Sequence, residues 1–388
     1  MKTPTAVLSS MMAACLAVCV TARPAGAQVA VSANDTTLVL QDGAQVVVPN
    51  PGPDTVTVID LGATPAKVLG QIEAPTSVIG PPQSVAIAPD ASIALVTSST
   101  KNDPADPTKT VPDDRVTVID LTASPIAAIA TLHAGAGASG VSFNRAGTLA
   151  LVANRTEGTI SVLTVQGKTV RVTGKVDLGA PTSGPSHVVF TPDGRRALVT
   201  RNADSQVAIL AIDGTSVTHS GDITVGLQPY GVDVVPSGDI AIAANIGVGA
   251  TGGVDTIAFI DLAHDPVRTI DQVAVGPTPE GLAISPDGRY VALTVMNGTN
   301  TPAASPLHHD FGLLRVFALN GHTLTPVTDA HIGQWCQGVA WGGGSRTLIT
   351  GCMVDKALFT FSFDGRTLTP TGRIPMPGGP AGLRAVER

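Results

Sequence analysis

The sequence has few aromatic residues and little charge. Aromatic residues make up 3% and charged residues 14% of its 388 positions, whereas 43% of the chain is hydrophobic. The apolar residues are therefore mainly Val, Ile, Ala and Leu, which suit strands packed in layers. One apolar run stands near the N-terminus, roughly at residues 6–20, and it is too short and too interrupted to predict a membrane span.

Several motifs of catalysis and cofactor binding are missing. The sequence has no G-x-S-x-G elbow, no G-x-x-x-x-G-K-[ST] phosphate loop, no H-E-x-x-H and no C-x-x-C-H. Each of these motifs works because its spacing brings the reactive groups together. A serine hydrolase with that elbow and a covalent haem protein are therefore disfavoured, and we predict no cofactor.

Basic residues are fewer than acidic ones. The chain has 23 Lys and Arg against 30 Asp and Glu, a formal net charge of −7. Proteins that bind nucleic acids gain affinity from cations that neutralise phosphates, so we expect no nucleic-acid partner. The balance favours a soluble protein with neutral or cationic partners.

The first 27 residues are typical of a signal peptide. Lys2 supplies a positive start, an apolar run follows, and Ala25-Gly26-Ala27 fits the small-residue cleavage rule. We predict cleavage after Ala27 and a periplasmic or secreted protein. A lipoprotein would need modification of Cys15 or Cys19, whose surroundings fit a lipobox poorly.

The six letters VTVIDL occur at 56–61 and again at 116–121, and they belong to a longer repeat. Six segments each combine a β-rich run, a turn with Pro, Asp or Gly, and a second β-rich run, the pattern of a hairpin. They begin at residues 83, 139, 186, 230, 280 and 337. A third run follows each pair, and a fourth usually follows the third. Four strands per 44–57 residues is the period of a propeller blade.

We therefore predict an all-β, seven-bladed β-propeller of four-stranded blades, as one domain over 28–388. Six blades fall at about 82–133, 138–178, 185–225, 229–275, 279–332 and 336–376, and the other combines 44–75 with 380–387. Pairing of the N- and C-terminal segments closes the ring and removes an open edge. A competing register makes 36–43 the innermost strand of that blade. A β-sandwich is the alternative, but sandwiches do not repeat one unit so regularly.

The repeated pattern P-x-G-V-x-F-x-P-D-G, then V-T-N or V-A-N, then V-x-V-I-D-L resembles the YVTN family of seven-bladed propellers and the wider lactonase-like group. The resemblance covers nearly the whole chain after residue 27 and implies the fold. It implies little about activity, because the motif residues shape turns and fill space between blades.

The first residues of each innermost strand are expected to face the central funnel on one side of the propeller, called the top face here. Glu280, Tyr230 and His187, which replaces a Gly, are the candidate catalytic residues, because a His near a carboxylate in a partly dry funnel can have a tuned pKa. A solvated channel lining without activity would also be polar. The candidate ligand-binding residues are Gln83, Ser139, Ser186, Gln337, Arg155 and Arg201.

Three long loops are expected on the top face, at 99–114, 246–255 and 296–312. Long loops on one face often carry function, although surface loops also drift freely. The last loop holds His308, His309 and Asp310, which are weak candidates for a divalent metal because adjacent residues rarely reach one ion together. The Asp residues of the first loop do not have the spacing of an EF-hand.

Cys336 and Cys352 are the cysteines that remain beyond the predicted signal peptide. They flank one hairpin almost symmetrically about its Gly342-Gly343-Gly344 turn, and opposed residues on antiparallel strands can be close enough to bond. We predict a disulfide between them.

Three functions fit the sequence. A secreted propeller could bind a small molecule or a periplasmic protein at its top face, as a monomer. A lactonase-like hydrolase could use Glu280 and His187 to activate water, with Tyr230, Arg155 or Arg201 polarising the carbonyl. The segment 183–194 resembles the G-P-R-H strand of propeller lactonases, but Ser186 stands where they have Arg. A partner of a haem or quinone oxidoreductase is the third function, and no particular residue supports it.

Overall fold

The structure, a computed structural model, describes residues 28–248 and 253–386. This part of the chain consists of β-strands, turns and two 3₁₀-helices at Asn202–Asp204 and Gly343–Ser345. None of its helices has the length and apolar character needed to cross a membrane. The predicted signal peptide lies outside the described residues.

The strands are numbered in chain order. The first sixteen are β1 Val29–Asp35, β2 Leu38–Gln41, β3 Ala44–Val47, β4 Thr55–Asp60, β5 Lys67–Glu73, β6 Val85–Ile87, β7 Ile93–Thr97, β8 Thr100–Asn102, β9 Thr110–Pro112, β10 Arg115–Asp120, β11 Ala127–His133, β12 Ala138–Phe143, β13 Leu149–Asn154, β14 Thr159–Gln166, β15 Thr169–Asp177 and β16 Pro185–Phe190. The others are β17 Arg196–Arg201, β18 Gln206–Asp213, β19 Ser216–Thr224, β20 Pro229–Val234, β21 Ile240–Asn245, β22 Asp255–Asp261, β23 Arg268–Gly276, β24 Pro279–Ile284, β25 Tyr290–Val295, β26 Gly312–Asn320, β27 Thr323–Ile332, β28 Cys336–Trp341, β29 Thr347–Cys352, β30 Ala357–Phe363, β31 Leu368–Pro375 and β32 Gly379–Ala385.

Seven four-stranded antiparallel sheets form the blades of a propeller. From the innermost strand outward, blades 1 to 7 are β32-β1-β4-β5, β6-β7-β10-β11, β12-β13-β14-β15, β16-β17-β18-β19, β20-β21-β22-β23, β24-β25-β26-β27 and β28-β29-β30-β31. The predicted all-β, seven-bladed fold is confirmed. Both VTVIDL segments belong to third strands, β4 and β10, in which Val56, Val58, Val116 and Val118 are buried.

The two ends of the chain close the ring inside blade 1. Strand β32 near the C-terminus is innermost and pairs with β1, and Ala30 lies opposite Ala385. Strand β1 in turn pairs with β4. The predicted closure by the two terminal segments is therefore confirmed, and it pairs both edges of a strand that would otherwise be exposed.

The strands that make up blade 1 differ from both of the predicted arrangements. The second strand of the blade is β1, whereas 36–43 and 44–50 contribute β2 and β3, which form a separate two-stranded sheet. The physical reason is burial. Every residue of β1 is buried, as a strand between two blades must be, while β3 begins with exposed Ala44 and Gln45.

An Asn at the end of β1 also marks it as a second strand. The Asn34 amide donates to the hydroxyls of Thr55 and Thr57 in the third strand of the same blade. In blade 3, Asn154 likewise donates to Thr159 and Ser161. Asn at this position therefore joins the second and third strands, which accounts for the V-A-N part of the repeat.

The innermost strands of blades 3 to 7 share a β-bulge near their first residue. In blade 6, Pro279 lies opposite Val295 and Leu282 opposite Leu293, so that Glu280 and Gly281 face the single residue Thr294. The second bulge residue comes close to the next blade: a Cβ on Gly281 would lie 2.4 Å from the Gln337 carbonyl oxygen. A bulge bends the strand and re-aims its side chains.

A Thr on the second strand fixes this bulge in two blades. The Thr294 hydroxyl accepts a hydrogen bond from the Gly281 amide at 2.7 Å and donates to the Gln337 carbonyl of blade 7 at 2.5 Å. In blade 4, Thr200 accepts from the His187 amide and donates to the Tyr230 carbonyl of blade 5 at 2.7 Å. Each Thr therefore connects its own blade to the next one.

Close backbone contact between blades predicts a strong effect of adding one methyl group at the bulge. A Cβ on Gly140 would lie 2.4 Å from the Ser186 carbonyl oxygen, whereas Gly221 has no atom within 4 Å of that position. We expect Gly140→Ala to lower the free energy of unfolding by about 1–3 kcal/mol because the blades must separate. The control Gly221→Ala should change it by less than about 0.5 kcal/mol. Urea unfolding measures both, and equal effects would contradict the assigned packing.

The predicted disulfide is confirmed, with the Sγ atoms of Cys336 and Cys352 2.02 Å apart and a sequence separation of 16 between the two residues. Cys336 precedes the bulge of blade 7, a place that Pro185, Pro229 and Pro279 occupy in blades 4 to 6. The bond therefore restrains the start of an innermost strand whose counterparts are restrained by a proline ring.

Reduction of this bond should destabilise the protein. Cross-linking a loop of this length restricts the unfolded chain and contributes about 3 kcal/mol. We expect a reducing agent to lower the urea midpoint of the wild-type protein. A variant with both Cys336→Ala and Cys352→Ala should unfold at the lower midpoint with or without reductant. A wild-type midpoint that is insensitive to reductant would count against the assignment.

Candidate functional site

A cavity of about 200 Å³ lies at the top end of the central channel. Innermost strands supply Tyr230, Glu280 and Gln337 to its wall, and Arg155 adds a cation. These four were predicted site residues, and the structure brings them together. The whole lining of this top cavity is Gln45, Val78, Ile79, Gly80, Arg155, Tyr230, Glu280, Trp335 and Gln337.

Glu280 is the carboxylic acid of the top cavity. It is the first residue of the blade 6 bulge, and only 9% of it is exposed. Its Oε2 atom has no hydrogen-bond partner among the described residues. Burial raises the pKa of Glu280 to about 8, against the lowering effect of the Arg155 charge. The acid is therefore mainly protonated at neutral pH and ionises in mildly alkaline solution.

Arg155 is held in place by three groups. Its Nη1 donates to the Ser186 hydroxyl and its Nη2 to the Asn202 side-chain oxygen, the latter at 3.0 Å. The guanidinium carbon lies 5.6 Å from the centre of the Tyr230 ring, within the range of a cation–π contact. Arg155 directly follows Asn154 at the end of a second strand, so the fold places it at the top face.

Tyr230 faces Glu280 across the cavity wall. Burial and the nearby Glu280 raise the pKa of the Tyr230 phenol, while Arg155 and the Gly80 backbone amide act in the opposite direction. The phenol therefore keeps its proton over the physiological pH range and can serve as a hydrogen-bond donor.

Three segments outside the innermost strands complete the cavity. Val78, Ile79 and Gly80 lie between blades 1 and 2, and Gln45 lies on the β2–β3 hairpin. Trp335 stands just before β28 with a positive φ of 50°, and its amide donates to the Thr299 hydroxyl at 3.1 Å. Sequence reasoning missed all five residues. Trp335 could have been noticed because it is one of two tryptophans and adjoins the predicted disulfide.

His187 does not line the top cavity. Its ring is fully buried, Nδ1 accepts a hydrogen bond from the Val232 amide at 3.2 Å, and Nε2 has no partner among the described residues. Burial, and then the positive charge of Arg384, hold the pKa of His187 well below its usual range. As the second bulge residue it points toward blade 5, where other blades have Gly, so its proposed pairing with Glu280 is not supported by its position.

The other candidate ligand-binding residues also lie outside the cavity lining. Gln83, Ser139 and Ser186 are buried among the innermost strands, and Ser186 holds Arg155 as described above. Arg201 is 5% exposed and forms ion pairs with Asp204 and Asp222, the latter at 2.6 Å. It therefore organises the edge of blade 4 and does not face the cavity.

The metal candidates form local contacts in the 296–312 loop. The His308 Nε2 lies 3.4 Å from an Asp310 oxygen, and His309 Nδ1 lies 2.9 Å from the Asn297 carbonyl oxygen. Over residues 28–248 and 253–386, no group of three or more His, Cys, Asp or Glu side chains is placed to hold a metal ion.

A second cavity, of about 160 Å³, lies at the opposite end of the channel. Its wall contains Asp233 and Arg384, together with prolines of the turns that follow the innermost strands. The Asp233 carboxylate accepts from the Val234 amide at 3.0 Å and from the Ile284 amide at 2.9 Å. Burial raises the pKa of Asp233, and Arg384 counteracts that shift.

The fold is that of a seven-bladed β-propeller, and the middle of the chain is similar to a propeller family of lactonases. The model of the family described as lactonase, 7-bladed beta-propeller, matches residues 113–218 and 175–301. None of the curated proteins matches the sequence.

Solved structures share the fold at low sequence identity. A Bacteroides uniformis protein proposed to be a 6-phosphogluconolactonase is 16% identical, with a TM-score of 0.68 over 92% of this chain and 99% of its own. The periplasmic gluconolactonase of Pseudomonas aeruginosa is 16% identical, with a TM-score of 0.65 over 92% and 99% of the two chains. Hydrazine synthase of Kuenenia stuttgartiensis is 18% identical, with a TM-score of 0.62 over 81% and 91%.

The raised pKa of Glu280 predicts a pH dependence of stability. Between its ordinary pKa of 4.5 and about 8, the folded protein keeps a proton on Glu280 that the unfolded chain has lost. The free energy of unfolding should therefore fall as pH rises through this window, by up to about 1.4 kcal/mol per pH unit. Glu280→Gln should remove this contribution. Urea unfolding from pH 5 to 8 measures the difference between the two proteins, and a difference that does not change with pH would contradict the shift.

Proposed function

We propose that the top cavity binds a small neutral cyclic ester and that Glu280 promotes its hydrolysis. The observation that carries this proposal is a buried carboxyl group in the lining of the top cavity, with one oxygen that has no hydrogen-bond partner among the described residues and a pKa of about 8. A general base is most effective when its pKa lies near the working pH. The lactonase family match and the gluconolactonase of similar fold are consistent with this chemistry.

The reaction needs only water and the ester. The ionised Glu280 takes a proton from a water molecule while the water oxygen bonds to the carbonyl carbon and the carbonyl electron pair moves to its oxygen. When the carbonyl re-forms, the ring carbon–oxygen bond breaks, and the leaving oxygen takes the proton from Glu280. The product is an open hydroxy acid, which ionises and releases one proton.

Two neighbours of Glu280 can stabilise the negative oxygen formed on the way. The protonated Tyr230 phenol is a donor, and the Arg155 charge lies within 5.6 Å of the same ring. Fixed donors and charges in a site that excludes bulk water lower the energy of such an intermediate. Arg155 is anchored by Ser186 and Asn202, so it acts as a fixed charge at the cavity wall.

Ligand binding without turnover is the second candidate function. The observation that favours it is the position of His187, which leaves Glu280 as the one acidic or basic side chain besides Arg155 and Tyr230 in the cavity lining. Gln337, Gln45 and the Trp335 ring would hold a sugar-like ring by hydrogen bonds and apolar contact.

We also propose that the protein acts outside the cytoplasm. The disulfide supports this location, because such bonds persist in oxidising compartments. The signal-like sequence of residues 1–27 and the periplasmic location named for the Pseudomonas aeruginosa gluconolactonase agree with it.

Proton release tests the hydrolase. The purified protein is mixed with gluconolactone or γ-butyrolactone, and the rate above spontaneous hydrolysis is followed. We expect kcat/KM to rise with pH and level off above about 8, where Glu280 is ionised. Glu280→Gln should lower it by about 100-fold or more because the base is lost. The exposed Glu73→Gln is the matched control and should leave the rate unchanged.

The same preparation separates the two candidate functions. If the folded protein releases no protons, a titration with glucose followed by tryptophan fluorescence tests binding at Trp335. A saturable change that Gln337→Ala weakens would favour binding alone. Absence of both turnover and binding would reject both functions for this cavity.

A further inference from the structure

The β2–β3 hairpin lies outside the seven blades and has no counterpart in the repeat. Leu38 pairs with Val47 and Gln41 with Ala44, and the turn between them holds Asp42 and Gly43. Because the hairpin interrupts blade 1 between β1 and β4, it leaves the propeller at the top face, where Gln45 reaches the cavity lining.

Two carboxylates, the buried Asp35 and the partly buried Asp54, fasten the base of the hairpin. Asp35 accepts hydrogen bonds from the Thr37 amide at 2.5 Å and from the Val78 amide at 2.7 Å. Asp54 accepts from the Thr36 amide at 2.9 Å and from the Thr76 amide at 3.1 Å. Both acids therefore tie the hairpin to the 76–80 segment, which forms part of the cavity wall.

The tip and one side of the hairpin rest on two of the long top-face loops. Asp42 accepts a hydrogen bond from the Ala303 amide at 2.8 Å, and a Cβ on Gly43 would lie 2.5 Å from the Pro302 nitrogen. The Asn102 amide donates to the Val48 carbonyl at 3.1 Å. The hairpin therefore crosses the top face from blade 1 and is supported by loops of blades 6 and 2.

An apolar cluster seals the space beneath the hairpin. Leu38 packs with Val78, Met296, Trp335 and Met353, all of them buried, and Leu40, Val47 and Ile79 lie against them. Three members of this cluster, Val78, Ile79 and Trp335, also line the top cavity. Gln45 is exposed on the hairpin and touches the cavity from the solvent side, so it marks the entrance.

We infer that the β2–β3 hairpin is a partial roof that narrows the entrance of the top cavity, and that Gln45 determines which ring substituents can enter. This inference names a ligand class for the proposed function and rests on it: a single ring with short substituents. A cavity of about 200 Å³ exceeds the roughly 150 Å³ that accepts benzene, and it leaves little room for a long chain.

A shortened hairpin tests the roof directly. The Val48 amide donates to the Thr37 carbonyl at 2.8 Å, so residues 38–47 can be replaced by Asn-Gly, which forms a two-residue hairpin turn. The variant keeps Asp35 and Asp54. In a Trp341→Phe background, Trp335 is the sole tryptophan, and acrylamide quenching of its fluorescence reports access to the cavity without any need for catalysis.

We expect the shortened hairpin to raise the quenching constant severalfold. Gln45→Ala should raise it less, and Gln41→Ala, on the same hairpin but away from the cavity, should leave it unchanged. Quenching that is the same in all three variants and in the parent would overturn the roof. If the shortened chain does not fold, the Gln45→Ala and Gln41→Ala pair decides the question, and equal quenching in that pair overturns the inference.

Substrate preference tests the selectivity. The ratio of kcat/KM for γ-butyrolactone to that for a γ-lactone with an eight-carbon side chain should fall about tenfold in the shortened variant. Gln45→Ala should lower it in part, and Gln41→Ala should not. If the kcat/KM ratios are unchanged in active proteins, the hairpin and Gln45 do not determine the substrate preference, and this result does not contradict the proposed hydrolase activity. Absence of turnover in every protein rejects the hydrolase, and the quenching result still decides the roof.

Discussion

The close approach of neighbouring blades at the innermost-strand bulge is the constraint on which both fold and site depend. Glycine at the second bulge position lets the backbone of the next blade come within contact, as Gly140 and Gly281 do. The same bulge turns the first residue toward the channel, where Tyr230, Glu280 and Gln337 meet. The geometry that closes the ring therefore also brings side chains of separate blades together at the channel. The residue type at this position can differ from blade to blade, as Tyr230, Glu280 and Gln337 show.

This arrangement explains which parts could be predicted from the sequence. The blades repeat because each must fill the same wedge, so the number of blades, the third strands and the disulfide between Cys336 and Cys352 could be predicted. The place of Glu280 and Tyr230 in the site could also be predicted from the repeat, because both residues occupy the same position in the innermost strands of their blades. Strand β1 was not predicted, although Asn34 at its end occupies the position that marks a second strand. The β-rich run that ends at Asn34 lacks the hairpin turn by which the other blades were recognised.

The β2–β3 hairpin above the cavity and the position of the His187 ring could not be predicted from the repeat. The β2–β3 hairpin has no equivalent in other blades, and its contacts with Val78 and Ala303 join residues far apart in the chain. His187 occupies a glycine position, and the pattern alone did not show that its ring would turn into the gap between blades. There the Val232 amide bonds to Nδ1, which satisfies one nitrogen and removes the ring from the cavity.

Hydrogen bonding distinguishes Glu280 from Asp35 and Asp54, two other acids near the top face. Burial raises the pKa of Asp35 to about 7 and also raises the pKa of Asp54, and the backbone hydrogen bonds that each carboxylate accepts offset part of that rise. Glu280 has only the Arg155 charge to offset its burial, and one oxygen remains without a partner among the described residues. A buried polar atom without a partner costs about 1–3 kcal/mol. A structural acid would gain from the partners that Asp35 and Asp54 have, whereas an acid that binds a ligand must keep an oxygen available for it.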